Sequence, residues 1–163
     1  MAETDLYLIR HGLAGTRDAS RDDGLRPLTS AGIRRTRAVA RHLARAGLRF
    51  DLLLSSPLVR AHQTAVILRK CGLAKRVQDA RPLRPGGELK ALLAMLGDRS
   101  ARRVALVGHE PDLSEWAERL VWGSVRHRLL LKKAGVIGLT LPPRGSAIGG
   151  CQLFLLVAPR LLL

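Results

Sequence analysis

Aromatic side chains are scarce in this chain. Two tryptophans, two phenylalanines and one tyrosine make up 3% of its 163 residues, too little to build the stacking platforms that readers of single-stranded nucleic acid use. Cysteine is scarcer still. Cys71 and Cys151 stand in unrelated contexts without CxxC spacing, which speaks against a disulfide framework or a cysteine-built zinc site and leaves reduced thiols. Acidic residues number 13 against 28 Lys plus Arg, and no carboxylates cluster as a divalent-metal site requires, so no metal or cofactor is called for. Long apolar runs are missing too. Leu153 to Leu163 is short and broken by Pro159 and Arg160, and Met1 to Asp5 has no basic leader; a cytoplasmic location without membrane engagement is the expectation.

What is present begins with a nucleophile at a strand end. The apolar run Asp5-Leu6-Tyr7-Leu8-Ile9 leads into Arg10-His11-Gly12. A neutral imidazole can attack phosphorus while a neighbouring guanidinium holds two phosphoryl oxygens. The strand-end position predicts an exposed His11 that contributes little packing. A second apolar run, Leu52 to Leu54, is followed by Ser55-Ser56-Pro57-Leu58-Val59-Arg60. Read as a helix start with Ser56 as N-cap and Pro57 at the first position, it puts backbone N–H groups and a positive dipole end beside Arg60. A third, Val104 to Val107, ends in Gly108-His109. Ligands of open α/β sheets gather outside the carboxyl ends of the strands, so Arg10, His11, Arg60 and His109 can converge.

These segments, in this order, resemble the histidine phosphatase superfamily (phosphoglycerate mutase-like) and, within it, the SixA-type phosphohistidine phosphatase branch. The resemblance runs nearly end to end. It takes in Leu6 to Gly12, Arg26-Pro27-Leu28-Thr29 with Gly32, Leu54 to Pro57 through Arg60-Ala61 and Gln63-Thr64-Ala65, Val107 to Ser114, Lys132 to Val136 and the closing Leu155 to Leu162. It implies a metal-independent phosphatase in which His11 carries a transient phosphohistidine. A backbone carbonyl of the loop after the nucleophile would take the Nδ1 proton. Arg10, Arg60 and His109 would hold the non-bridging oxygens, with Arg26 as a further phosphate-proximal arginine. Glu88, after Pro85-Gly86-Gly87, lies where the superfamily often supplies its proton donor; Asp22, Asp23 and solvent compete for that role, and a dipole-facing helix start accounts for Glu88 equally well.

Alternating strands and helices predict one α/β domain over residues 1–163, a three-layer α/β/α sandwich. Helices are expected from Thr29 or Ser30 to Gly47 with Ile33, Thr36, Ala40 and Leu43 inward, from Pro57 to Lys70, from Glu88 to Leu96, and from Asp112 or Ser114 to Val121. Strands are expected at Asp5–Ile9, Leu52–Ser55, Arg76–Asp79, Arg103–Gly108, Val136–Leu141 and Gln152–Val157. The last two are joined too tightly for a crossover helix, so they should pair antiparallel on a mostly parallel sheet. Trp116 and Leu120 read as core, His42, His62 and His127 as ordinary residues, and Ser55, Ser56 and Thr64 as caps or local hydrogen-bond formers.

The formal charge of +15 keeps a second class of function in view, a basic nucleic-acid-binding module. Arg34, Arg37, Arg41 and Arg45 recur at three and four residues and form a stripe that could track phosphates. No helix-turn-helix, zinc-finger or RNA-recognition signature accompanies them, so the stripe reads as a solvated face and nucleic acid is not the expected partner. Between Lys70 and Val104 there is room for only one strand, one short helix and loops, which predicts an open pocket. That suits phosphohistidine on a protein, such as a histidine phosphotransfer domain. Its imidazole leaves neutral, whereas an ester must expel or protonate an alkoxide. The alternative is a broad phosphomonoesterase acting on small phosphate esters.

Overall fold

Alternation along the buried strands sorts their side chains into two cores. On β1 (Thr4–Arg10), Leu6 and Leu8 enter one core, while Tyr7 and Ile9 enter the other. β2 (Leu52–Ser55) and β4 (Arg103–Gly108) divide likewise, Leu52, Leu54, Val104 and Leu106 on the first side and Leu53, Ala105 and Val107 on the second. The computed structural model describes residues 3–97 and 100–163. Met1 and Ala2 of the opening segment lie outside the described residues, as do 98 and 99.

Among the described residues, four α-helices cover the two faces. The first core packs against α3 (Leu89–Leu96) through Leu89 and Leu92 and against α4 (Asp112–Trp122) through Leu113, Trp116 and Leu120. The second packs against α1 (Ser30–Arg45) through Val39, Ala40 and Leu43 and against α2 (Val59–Lys70) through Ala61, Ala65 and Leu68. The result is the expected α/β/α sandwich. The six-stranded sheet has the order β3-β2-β4-β1-β5-β6, where β3 is Gln78–Asp79, β5 Val136–Leu141 and β6 Gln152–Val157. β3, β2, β4 and β1 are parallel, and β5 runs antiparallel to both β1 and β6. Gly138 makes the β5–β6 pairing possible. A Cβ there would meet the Phe154 ring at 2.5 Å, and that ring stacks edge-on against Tyr7.

Helix ends follow local chemistry in one case and depart from it in another. Thr29 caps α1, its Oγ1 accepting the Gly32 N–H, and Gly47 ends the segment at φ +85°, where a side chain would be strained. The arginine stripe, Arg34, Arg37, Arg41 and Arg45, is exposed along this helix. Ser56 and Pro57 do not start α2 as predicted. Leu58, in extended conformation, is the N-cap, and no side chain caps the helix; the Ser56 hydroxyl accepts the N–H of Leu58 itself and also meets His109. The predicted strand at Arg76–Asp79 shortens to Gln78–Asp79, the two residues that align with Leu54 and Ser55 of β2. Among the described residues no helix is long and apolar enough to cross a membrane. Cys151 is buried and Cys71 half-buried, and neither is in a disulfide.

Candidate active site

Three adjacent parallel strands, β2, β4 and β1, end side by side. Arg10 pairs with Gly108, the His11 N–H donates to the Gly108 carbonyl at 3.1 Å, and the Ser56 N–H donates to Val107 at 2.9 Å. His11, Ser56 and His109 are therefore gathered by the sheet itself. The turn before β5 closes over them: the Ala134 N–H reaches the carbonyls of both Arg10 (3.1 Å) and His11 (3.2 Å), with Ala134 in the left-handed region at φ +61°.

His11 is 5% exposed, against the expectation of an exposed residue. Its ring lies 5.2 Å, centroid to centroid, from that of His109. Nδ1 is 2.7 Å from the Gly12 carbonyl oxygen. A carbonyl only accepts, so Nδ1 carries the proton and the lone pair sits on Nε2. Burial lowers the His11 pKa to about 3; the Gly12 carbonyl opposes this, while His109, Arg60 and Lys133 reinforce it. The imidazole is thus neutral at neutral pH.

Gly12 is held from two sides. Its N–H donates to Thr64 Oγ1 (3.0 Å), which in turn donates to the Arg60 carbonyl (2.8 Å), tying the loop after His11 to α2. A Cβ at Gly12 would fall 2.2 Å from Thr36 Oγ1, so only glycine fits.

His109 is 3% exposed. Ser56 Oγ accepts the Leu58 N–H (3.3 Å) and lies 2.8 Å from His109 Nε2. Donation of the single hydroxyl proton to Nε2 leaves the His109 proton on Nδ1, an atom that is buried without a partner. Burial, Arg60, Arg10 and Arg26 lower the His109 pKa to about 4, with Asp23 opposing.

Arg60, 2% exposed, gives Nη1 to the Asp23 carbonyl (2.8 Å) and Nη2 to Asp23 Oδ2 (3.1 Å). Arg10 gives Nη1 to the Leu131 carbonyl (3.0 Å). The Nε of each is buried and unpartnered. Arg10 Nε and Arg60 Nε are thus two buried donors left unsatisfied in one charged cluster, and the unpartnered His109 Nδ1 is a third in the tautomer whose Nε2 accepts from Ser56. Such donors are rare in folded proteins and fit an anion. Arg26 joins the cluster through Asp23 Oδ1 (2.9 Å) and the Gly15 carbonyl (2.7 Å). Lys133, its pKa lowered by burial and by Arg10, Arg26 and Arg60, is a fourth cation there that sequence reasoning did not single out.

The acid candidates separate. Glu88 is exposed at the N-cap of α3 without a side-chain cap bond, and no ion pair ties it to the cluster among the described residues. Asp22 is exposed and caps the Gly24 N–H (2.8 Å). Asp23 is inside, but its hydrogen bond with Arg26 heads the causes that lower its pKa, which keeps it ionised and unsuited to donate a proton. Glu110, half-buried and acting on Arg10, has its pKa raised by burial. No three His, Cys, Asp or Glu side chains gather into a metal-holding group among the described residues.

The model of the histidine phosphatase superfamily (branch 1) matches residues 6–83, from the strand before His11 through the helix that carries Arg60. The chain belongs to the histidine phosphatase superfamily. The E. coli phosphohistidine phosphatase SixA is 29% identical over 110 residues, 65% of this chain and 67% of that protein. An uncharacterized protein of Picosynechococcus is 46% identical over 98% of this chain and 99% of its own length. Among solved structures, the histidine phosphatase SixA complexed with tungstate superposes with a TM-score of 0.84 over 98% of this chain and 99% of that one, at 23% identity. A phosphoserine phosphatase of Entamoeba histolytica has the same fold at 18% identity and TM-score 0.72 over 98% of this chain and all of that one.

Proposed function

We propose that this superfamily member is a metal-independent phosphatase that removes phosphate from phosphohistidine on a protein, through a covalent intermediate on His11. The observation that carries the reading is the pairing of a neutral, buried His11, whose Nε2 lone pair is unengaged, with the unsatisfied donors Arg10 Nε, Arg60 Nε and His109 Nδ1. His11 Nε2 attacks phosphorus, the P–N bond to the substrate breaks, and the leaving imidazole departs neutral when its other nitrogen carries a proton. The donors take up the charge on the non-bridging oxygens, which is most of what phosphoryl transfer asks of a protein. Water then cleaves the His11 phosphoramidate.

Among the described residues no carboxyl hydrogen-bonds to His11 or His109, which favours phosphohistidine over an alkyl ester, because only the ester must protonate or expel an alkoxide. The short stretch between α2 and β4, whose described residues form β3, a 3-10 turn, α3 and connecting loops, supports access for a protein-borne group. Likeness to a phosphohistidine phosphatase, and to a relative that binds tungstate, a tetrahedral oxyanion like phosphate, supports the same reading.

The test is a comparison of kcat/KM on a phosphohistidine peptide, a phosphorylated histidine phosphotransfer domain, phosphoserine and phosphotyrosine peptides and 3-phosphoglycerate, with and without chelator. Preference for the phosphohistidine substrates, unchanged by chelator, is expected. Preference for the esters would turn the assignment to a broad phosphomonoesterase.

A further inference from the structure

A cavity of about 710 Å³ opens beside Arg10, between α1, the turn before β5 and the segment after β6. Arg10, Arg35, Lys132, Lys133 and Arg160 line it, and no acidic residue does. Arg35, Lys132 and Arg160 are exposed, and none of them is in a salt bridge among the described residues. The cavity also contains a buried polar group without a partner. Thr36, 1% exposed, lines it, and its Oγ1 makes no hydrogen bond. Five cations around a concave surface give a field that attracts anions. The lining is not purely charged: Leu13 and Leu130 also line the cavity, 41% and 66% exposed. An inorganic anion has no use for exposed leucines, whereas a polypeptide segment has apolar as well as acidic side chains to offer.

We infer that this groove is a second subsite that binds an acidic segment of the substrate protein flanking its phosphohistidine. The inference rests on the phosphatase reading and adds to it the chemical class of substrate. Arg10 belongs to both surfaces, so a phosphoryl group against Arg10 and His11 places its neighbouring residues at the mouth of the groove. Carboxylates there meet Arg35, Lys132 and Arg160, apolar side chains meet Leu13 and Leu130, and a hydroxyl or backbone carbonyl entering the groove can satisfy Thr36.

The experiment compares two phosphohistidine peptides, one flanked by Asp and Glu and one by Ser and Gly, with an aryl phosphate as the small control. The enzymes are the wild type, the triple variant Arg35→Ala/Lys132→Ala/Arg160→Ala and the charge-reversed triple variant with Glu at the same positions. None of these three residues contacts the reacting atoms. The wild type should prefer the acidic peptide by about tenfold in kcat/KM, an advantage that shrinks as salt rises. The alanine variant should lose that preference and the glutamate variant invert it, while both keep aryl phosphate turnover within about twofold. Equal turnover of the two peptides by wild type, or equal losses on peptides and aryl phosphate in the variants, overturns the groove. Failure of the phosphatase reading looks different, as absence of turnover on every substrate. In that event fluorescence anisotropy of the unphosphorylated acidic peptide decides: binding to wild type that is lost in the glutamate variant upholds the groove, and no binding to wild type overturns it.

Discussion

Asp23 binds Arg60 twice, by its backbone carbonyl at 2.8 Å from Nη1 and by its carboxylate at 3.1 Å from Nη2, across 37 residues of sequence. The same carboxylate reaches Arg26 (2.9 Å) and Arg17 (3.4 Å). One loop acid thereby orients the guanidinium whose Nε remains for an anion. It also tempers the positive charge around Arg60 and His109.

Removal of that carboxylate should loosen Arg60 without removing it. Asp23→Ala should lower kcat/KM by about tenfold, the low end of what a charge-assisted hydrogen bond contributes, since Asp23 is partly exposed. The loss should fall mainly on KM, and Asp23→Glu should not restore it, because the longer side chain misplaces the carboxylate. If Asp23 were the proton donor, Asp23→Ala would instead lower kcat on an alkyl phosphate far more than on phosphohistidine.

The histidines set a pH signature. With pKa values of about 3 and about 4, His11 and His109 should not titrate between pH 5 and 8 in the free protein, unlike an ordinary imidazole near 6.5. Two-dimensional NMR of the ring nitrogens checks this, and a His11 midpoint near 6.5 contradicts it. The unfolded imidazoles bind protons below about 6.5 while the folded ones do not until about 3 to 4, so acid favours the unfolded chain. Each histidine should cost at most about 1.4 kcal/mol of stability per pH unit as pH falls through that window.

Glu118 predicts a second acid sensitivity, of structural origin. It is 1% exposed on α4, and its carboxylate accepts from the backbone N–H groups of Arg126, His127, Arg128 and Leu129. Burial alone would raise its pKa, but the four donors together lower it to about 2, from 4.5 in an unperturbed side chain. The folded pKa is the lower one, so this contribution is fully present above pH 4.5 and fades as pH falls toward 2. Glu118→Ala leaves those donors without their acceptor and should cost on the order of 3 kcal/mol in urea unfolding at neutral pH. A loss below measurement would contradict the role of this carboxylate as the anchor of the loop after α4.

Much of the fold was legible because strands and helices here announce themselves locally. The three strand ends bearing Arg10-His11, Ser55-Ser56 and Gly108-His109 follow from apolar runs that stop abruptly, and α1 from Thr29, its inward stripe and Gly47. Long-range capture of polar groups was not legible. Ser56 reads as an N-cap from its neighbours, yet its hydroxyl also meets His109, 53 residues away. Asp23 reads as an acid candidate, yet Arg60 and Arg26 hold it ionised. Glu118 looks like any helix-surface glutamate until the loop 126–129 folds over it. The burial of His11 is not legible for the same reason: the turn that covers it, 131–135, comes more than a hundred residues later.

The most direct measurement of the central claim is rapid-quench trapping of the intermediate. Wild-type protein mixed briefly with phosphohistidine peptide carrying labelled phosphate, then quenched in alkali and mapped by mass spectrometry, should hold one acid-labile, alkali-stable phosphoryl group on His11. His11→Ala should hold none and turn over nothing while remaining folded by circular dichroism. Label on a serine, cysteine or aspartate, or persistent turnover in the folded His11→Ala protein, would contradict the account.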